Sequence, residues 1–157
     1  TQKFVVKIIK NIKAHKVIDA DALTAIRLED VQNAILTPHQ KEMEHVLKGK
    51  SISAVKKKLG NNVILLKGKT DKIITATKTA YNKTGNAGMT VAGTGDVLAG
   101  VVAGMVAQER NLFKAAKLGA YINGKAGDML YRKKEYGFLA SELLDQIPTI
   151  MRRMHHG

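Results

Sequence analysis

Apolar residues recur with two different periods along this chain, and the switches between them mark out its elements. Residues 4–13, FVVKIIKNIK, put hydrophobic side chains on one helical stripe, which predicts an amphipathic helix with no clear cap before it. Short apolar runs at 16–19, 34–36 and 63–66 predict strands, the last of them fully buried. Between these runs, 22–29 reads as helical or irregular. Residues 37–47 read as a helix start and helix, with Thr37 as cap, Pro38 in the first helical position, His39 in the second and Gln40 completing a capping box. A further helical segment over 51–59 is closed by Gly60 and Asn61.

After a turn over residues 68–71, the stretches 72–77 and 79–82 predict strands added antiparallel near a sheet edge. The last third predicts helices over 96–108, 111–134 and 140–154, the last bent or interrupted at Pro148. Residues 97–108, VLAGVVAGMVAQ, are apolar or small at nearly every position, so that helix is expected to be buried on most sides, with its N-terminus inside the protein. Strands alternating with helices give an α/β layered fold.

Composition bounds this picture. With 157 residues, 45% of them hydrophobic, the chain is long enough for one domain with a core. It has no cysteine, which excludes disulfides and thiolate metal sites and makes a reducing compartment natural. The longest apolar runs are too short and too interrupted by glycine to span a bilayer, so no membrane partner is expected and the cytoplasm is the expected location. A formal charge of +13, with Lys56, Lys57, Lys58, Arg132, Lys133 and Lys134 available to phosphates, raises a nucleic-acid reading. Aromatic residues are only 4% and no nucleic-acid-binding motif is present, so the charge is read as a solvated surface that steers anionic nucleotides inward.

The candidate chemistry concentrates in residues 84–100, TGNAGMTVAGTGDVLAG. The first turn of a helix leaves backbone N–H groups unpartnered and carries the positive end of the macrodipole, so the amides of Gly93, Thr94 and Gly95 can bind phosphate or a developing oxyanion. Asp96 then reads either as a phosphate-linked acid or base, or as an N-terminal carboxylate that stabilises the helix. In layered α/β sheets ligands gather at the carboxyl ends of the strands, and Asp19, Asp21, His39, Lys67 and Asp96 each fall just after a predicted strand or at a helix start. Each has a structural alternative. His39 could simply be solvated, Lys67 could snorkel outward or pair with a carboxylate, and Asp19 and Asp21, which would point to one side of a continued strand, could form a turn and cap.

The segments Asn86-Ala87-Gly88-Met89 and Gly93-Thr94-Gly95-Asp96-Val97-Leu98-Ala99-Gly100 closely resemble the C-terminal signature of the NAD(P)H-hydrate dehydratases of the ribokinase-like superfamily. Asp19-Ala20-Asp21-Ala22-Leu23, Leu36-Thr37-Pro38-His39 and Leu65-Leu66-Lys67-Gly68 resemble further segments of the same family, in family order. The resemblance runs through essentially the whole chain but matches only the C-terminal portion of the family's layered α/β/α domain. The chain is therefore expected to be a single partial domain, residues 1–157, whose N-terminal part lies outside this sequence; the opening Thr1 and the uncapped first helix agree with that expectation.

What the resemblance implies is metabolite repair. NADH or NADPH hydrated on its nicotinamide ring is phosphorylated on the ring hydroxyl by ADP or ATP with Mg2+, and phosphate is eliminated. By that analogy Asp96 is the general base and, with His39, contacts the hydrated dinucleotide, while Gly93, Thr94 and Gly95 form the anion hole. The adenine nucleotide falls to Lys67, Gly68, Lys69, Thr70, Asp71 and Gly95. Asn86 arranges phosphate and magnesium, with no metal ligand assigned from the chain. A homo-oligomer and a fused or separate epimerase domain are the implied partners. The alternatives are a small-molecule kinase of the same superfamily and a nucleotide-binding module without turnover.

Overall fold

The computed structural model describes residues 2–155. Its elements are α1 (Gln2–Asn11), β1 (Lys16–Ile18), α2 (Asp21–Ala25), β2 (Ala34–Leu36), α3 (Gln40–Leu47), α4 (Ile52–Lys56), β3 (Val63–Leu66), β4 (Asp71–Ile74), β5 (Thr79–Asn82), α5 (Thr94–Gln108), α6 (Leu112–Lys134) and α7 (Glu142–His155). Single 3-10 turns occupy Leu28–Asp30 and Ala87–Thr90.

The strands form a five-stranded sheet in the order β1-β2-β3-β4-β5. β1, β2 and β3 run parallel, with Val17 opposite Ile35 and Ile35 opposite Val63. β4 and β5 return antiparallel, with Leu65 opposite Ile73 and Ile73 opposite Ala80. Because successive side chains leave a strand on opposite faces, each strand feeds both layers. Ile35, Val63, Leu65 and Ile73 join the cluster built with Leu98, Val102 and Met105 of α5 and with α6 and α7, whereas Ile18, Leu36, Ile64, Leu66 and Ile74 join Leu23, Met43 and Val55 of α2, α3 and α4. The result is an α/β/α sandwich.

Several expectations need correction. Thr37 does not cap α3: it is buried, its hydroxyl donating to the Ile18 carbonyl at 3.3 Å, and Pro38 precedes the helix. The cap is His39, because its imidazole reaches the Glu42 amide while Glu42 returns to the His39 amide. α5 begins at Thr94 and is buried on one side only. Leu98, Val102 and Met105 are covered, whereas Asp96, Gly100, Ala103, Gly104 and Ala107 are exposed. The bulky side chains choose the packed face; the small residues that read as buried by hydropathy lie opposite. β4 ends at Ile74, since the Thr75 hydroxyl turns the chain by accepting from the Lys78 amide at 2.9 Å. α7 runs through Pro148, which is exposed, so water can serve the carbonyl that loses its helical partner. Asp19 and Asp21 do not share a strand face. β1 stops at Ile18, and Ala20 turns the chain at a φ of +52°.

Asn62 ties β2 to the loop before it. Buried, it donates to the Val31 carbonyl at 2.7 Å and accepts from the Ala34 amide at 3.1 Å. Asn62→Ala would leave both backbone groups without their partner inside the protein, an expected loss of about 1–3 kcal/mol. A lower urea midpoint at unchanged slope would show it.

Candidate active site

The parallel strands place their carboxyl ends side by side, and each delivers a functional segment there. β1 is followed by Asp19, β2 by Pro38 and His39, and β3 by Lys67. The segments are stitched together by backbone bonds, the Thr37 amide donating to Ile18 and the Lys67 amide to Pro38 at 2.8 Å. Lys67 is half-buried, and its ammonium bonds Asp19 Oδ1 at 2.9 Å and stands 3.8 Å from Glu42 Oε2. Glu42, in the first turn of α3, also accepts the His39 amide at 2.8 Å.

The opposite wall is the start of α5. Gly93 holds a φ of +91°, a conformation that favours glycine, and its carbonyl takes the Val97 amide at 3.0 Å as the helix opens. The Thr94 hydroxyl donates to the Met89 carbonyl at 2.7 Å and to that of Val91 at 3.0 Å, fixing the turn, and the Thr94 amide makes a long 3.4 Å contact to Val91. Asp96 is exposed in the first turn of α5 and has no hydrogen-bond or ion-pair partner among the described residues. Lys67 faces this turn: a Cβ placed on Gly95 would lie 3.6 Å from the Lys67 ammonium. The two walls therefore meet at Lys67 and Gly95.

The turn after β3 contains exposed Gly68 and Lys69, half-buried Thr70, and Asp71. Asp71 closes it, accepting from the Gly68 amide at 3.1 Å and from Asn82 Nδ2 at 3.0 Å. Burial raises the Asp71 carboxyl above its ordinary value, opposed by the bonds from Asn82 and Gly68 and by the nearby Lys67 charge. Asn82 also donates to the Ala120 carbonyl at 3.2 Å and accepts from Thr84, which anchors the loop toward α5 on α6.

That loop is bound close to α6. A Cβ on Gly124 would lie 2.2 Å from the Thr84 hydroxyl oxygen and 2.7 Å from the Thr84 carbonyl carbon. Asn86 spends both ends of its side chain inside the protein, donating to Asp128 Oδ1 at 3.1 Å and accepting from the Gly88 amide at 3.0 Å. Asp21 stands apart, exposed at the start of α2.

Residues 1–149 match the family described as NAD(P)H-hydrate dehydratase. The chain belongs to that family. It is 38% identical over 156 residues to the bifunctional NAD(P)H-hydrate repair enzyme Nnr of Methanocaldococcus jannaschii, spanning 97% of this chain and 30% of that one. It is 36% identical over 145 residues to the ADP-dependent (S)-NAD(P)H-hydrate dehydratase of Haloterrigena turkmenica, spanning 92% of this chain and 56% of that protein. Among solved structures, the ADP/ATP-dependent NAD(P)H-hydrate dehydratase of Bacillus subtilis, co-crystallised with ATP/Mg2+ and soaked with CoA, superposes with a TM-score of 0.80 at 25% identity, over 94% of this chain and 59% of that one. The fold is ribokinase-like, shared with a ribokinase-like superfamily protein of Enterococcus faecalis at a TM-score of 0.81 and 26% identity over 97% of this chain and 58% of that one. The chain thus spans under two thirds of the length of these relatives.

Three residues around this candidate site were not singled out from the sequence: Glu42, Asp128 and Asn82. Glu42 stands three positions after His39, the spacing of a capping box, and that signal was open to inspection. Asp128 and Asn82 are tied to the site through long-range contacts, and no local pattern announces them. Among the described residues no cluster of three or more His, Asp or Glu is placed to hold a metal ion, and no helix is long and apolar enough to cross a membrane.

Proposed function

We propose that this chain carries the phosphoryl-transfer site of an adenine-nucleotide-dependent NAD(P)H-hydrate dehydratase. The observation that carries the reading is the meeting of Lys67, from the end of β3, with the Gly95 turn of α5, with the unengaged carboxylate of Asp96 one residue further on. Helix N-terminal amides and a lysine favour an anion, and an aspartate free of intramolecular bonds is available to take a proton.

In this reading the terminal phosphoryl group of ADP or ATP passes to the ring hydroxyl of hydrated NADH or NADPH. Asp96 accepts the hydroxyl proton as the new O–P bond forms and the bond to the departing AMP or ADP breaks. The amides of Gly93, Thr94 and Gly95 stabilise the charge on the transferring group. The ring nitrogen then assists loss of orthophosphate from the phosphorylated ring, and a ring proton leaves to restore the reduced nicotinamide. His39 contacts the dinucleotide. Lys67, Gly68, Lys69 and Thr70 receive the nucleotide on a turn that Asp71 closes, and Asn86, held by Asp128, shapes the loop beneath the phosphates. Mg2+ would be held chiefly by the nucleotide's own phosphates and water, and would neutralise phosphate charge, which leaves the Asp96 carboxylate free to take the proton.

Residues 1–157 act here as the C-terminal part of a longer domain by the family resemblance, and the 56% of the Haloterrigena protein that they span supports a partial match. A cytoplasmic location, homo-oligomeric assembly and an epimerase as fused or separate partner come with the family resemblance. The test is an assay of the gene product carrying this sequence with hydrated NADH or NADPH. The expected result is ADP- or ATP-dependent recovery of reduced-nicotinamide absorbance with release of phosphate. A stable phosphorylated product would make the protein a kinase, and nucleotide binding without turnover a non-catalytic module.

A further inference from the structure

Lys67 occupies an awkward position for a cation. The start of a helix carries the positive end of the macrodipole, and the Lys67 ammonium stands over the first turn of α5, 3.6 Å from where a Gly95 Cβ would be. Left to itself, that ammonium would be repelled by the same amides that attract a phosphate. Two carboxylates hold it there: Asp19 at 2.9 Å and Glu42 at 3.8 Å. Both carboxylate side chains are largely covered, at 15% and 16% exposure, against 20% for Lys67. They reach it from different strand ends, Asp19 after β1 and Glu42 at the head of the helix after β2. Glu42 is itself fixed by the His39 amide, so its position is set before any ligand arrives.

We infer that Asp19 is a positioning residue, assisted by Glu42, that holds the Lys67 ammonium at the mouth of the α5 anion hole, so that lysine and helix amides act on one phosphate group together. A charge-assisted bond is shorter and stronger than a neutral one, so Asp19 restrains where the ammonium can stand. The inference rests on the functional reading above, and it makes a claim of opposite sign to simple electrostatics. A carboxylate near a phosphate pocket should repel phosphate, and its removal should tighten binding. A carboxylate that positions the phosphate's lysine should do the reverse.

The experiment compares the parent protein with Asp19→Asn, Lys67→Met and the double variant, each first shown to melt as a folded protein. Two quantities are measured: the Kd for inorganic phosphate by calorimetry, and kcat and KM with adenine nucleotide and hydrated NADH. Asp19→Asn is nearly isosteric and is expected to weaken phosphate about fivefold and lower kcat about tenfold, with KM for the nucleotide within about threefold. In the Lys67→Met background it is expected to change neither quantity by more than about twofold, since its effect passes through the lysine. Tighter phosphate binding in Asp19→Asn, or additive losses in the double variant, would overturn the proposal. A parent protein without turnover whose phosphate affinities still follow the expected pattern would overturn the functional reading and leave the positioning role standing.

Discussion

The Asp96→Asn variant is expected to lose turnover by about a thousandfold or more while binding adenine nucleotide within about threefold of the parent, the scale at which a positioned general base acts. Asn keeps the volume and shape of the side chain but cannot accept the hydroxyl proton of the hydrated ring. The substitution should not disturb the fold, because Asp96 is exposed and no described side chain or amide depends on it. Its structural cost is limited to the loss of a negative charge at the start of α5, about 0.3–1 kcal/mol. Nucleotide affinity by calorimetry beside steady-state turnover separates the two effects. Turnover within tenfold of the parent would remove Asp96 from the base role and move attention to another acceptor.

A large effect on stability and on the site together is expected from a single methyl group. Gly124→Ala would set a Cβ at 2.2 Å from the Thr84 hydroxyl oxygen and 2.7 Å from its carbonyl carbon, and the second of these is backbone, which cannot step aside by changing rotamer. Ala is the better helix former by about 1 kcal/mol, so propensity alone would favour the change. The clash reverses that sign. Overpacking of this kind costs up to about 3 kcal/mol, which net of the propensity gain is about 2 kcal/mol and for a chain of this size lowers the melting temperature by about 4–8 °C. The strain falls on the loop that leads to Asn86 and Gly93, so loss of phosphate affinity should accompany loss of stability. An unchanged melting temperature would mean that the loop lies farther from α6 than described.

Much of the layered fold was legible because the buried strands announce themselves. Val63-Ile64-Leu65-Leu66 has no polar residue, and such a run bounded by turns has few alternatives to a strand covered on both faces. The antiparallel return of β4 and β5 was readable for another reason, the turn over residues 68–71 followed by two short strand-forming stretches. What misled was the helix after Gly95, where small residues and buried residues look alike to any hydropathy argument although only Leu98, Val102 and Met105 are fully buried. The start of α3 failed differently: Thr37 suits a cap by residue type, but a tertiary bond pulls its hydroxyl to Ile18 and leaves the cap to His39. The site followed the same division. His39, Lys67 and Gly95 could be placed from motifs at strand and helix ends, whereas the clasp of Asp19 and Glu42 on Lys67 joins a residue 48 positions away and one on a separate helix, which one chain's local pattern does not encode.

The cap on α3 has a consequence for what His39 can say to a ligand. Its Nδ1 accepts the Glu42 amide at 3.1 Å, and a nitrogen that accepts cannot carry a hydrogen. In the neutral ring the hydrogen is therefore on Nε2, the tautomer being chosen by the helix before any substrate is present. Half of this side chain is open to solvent, and its Nε2–H, 3.5 Å from Glu42 Oε1, is a donor of fixed identity held beside that carboxylate. A ligand oxygen can take the hydrogen there, a chemical offer written by nothing more than the way one helix begins.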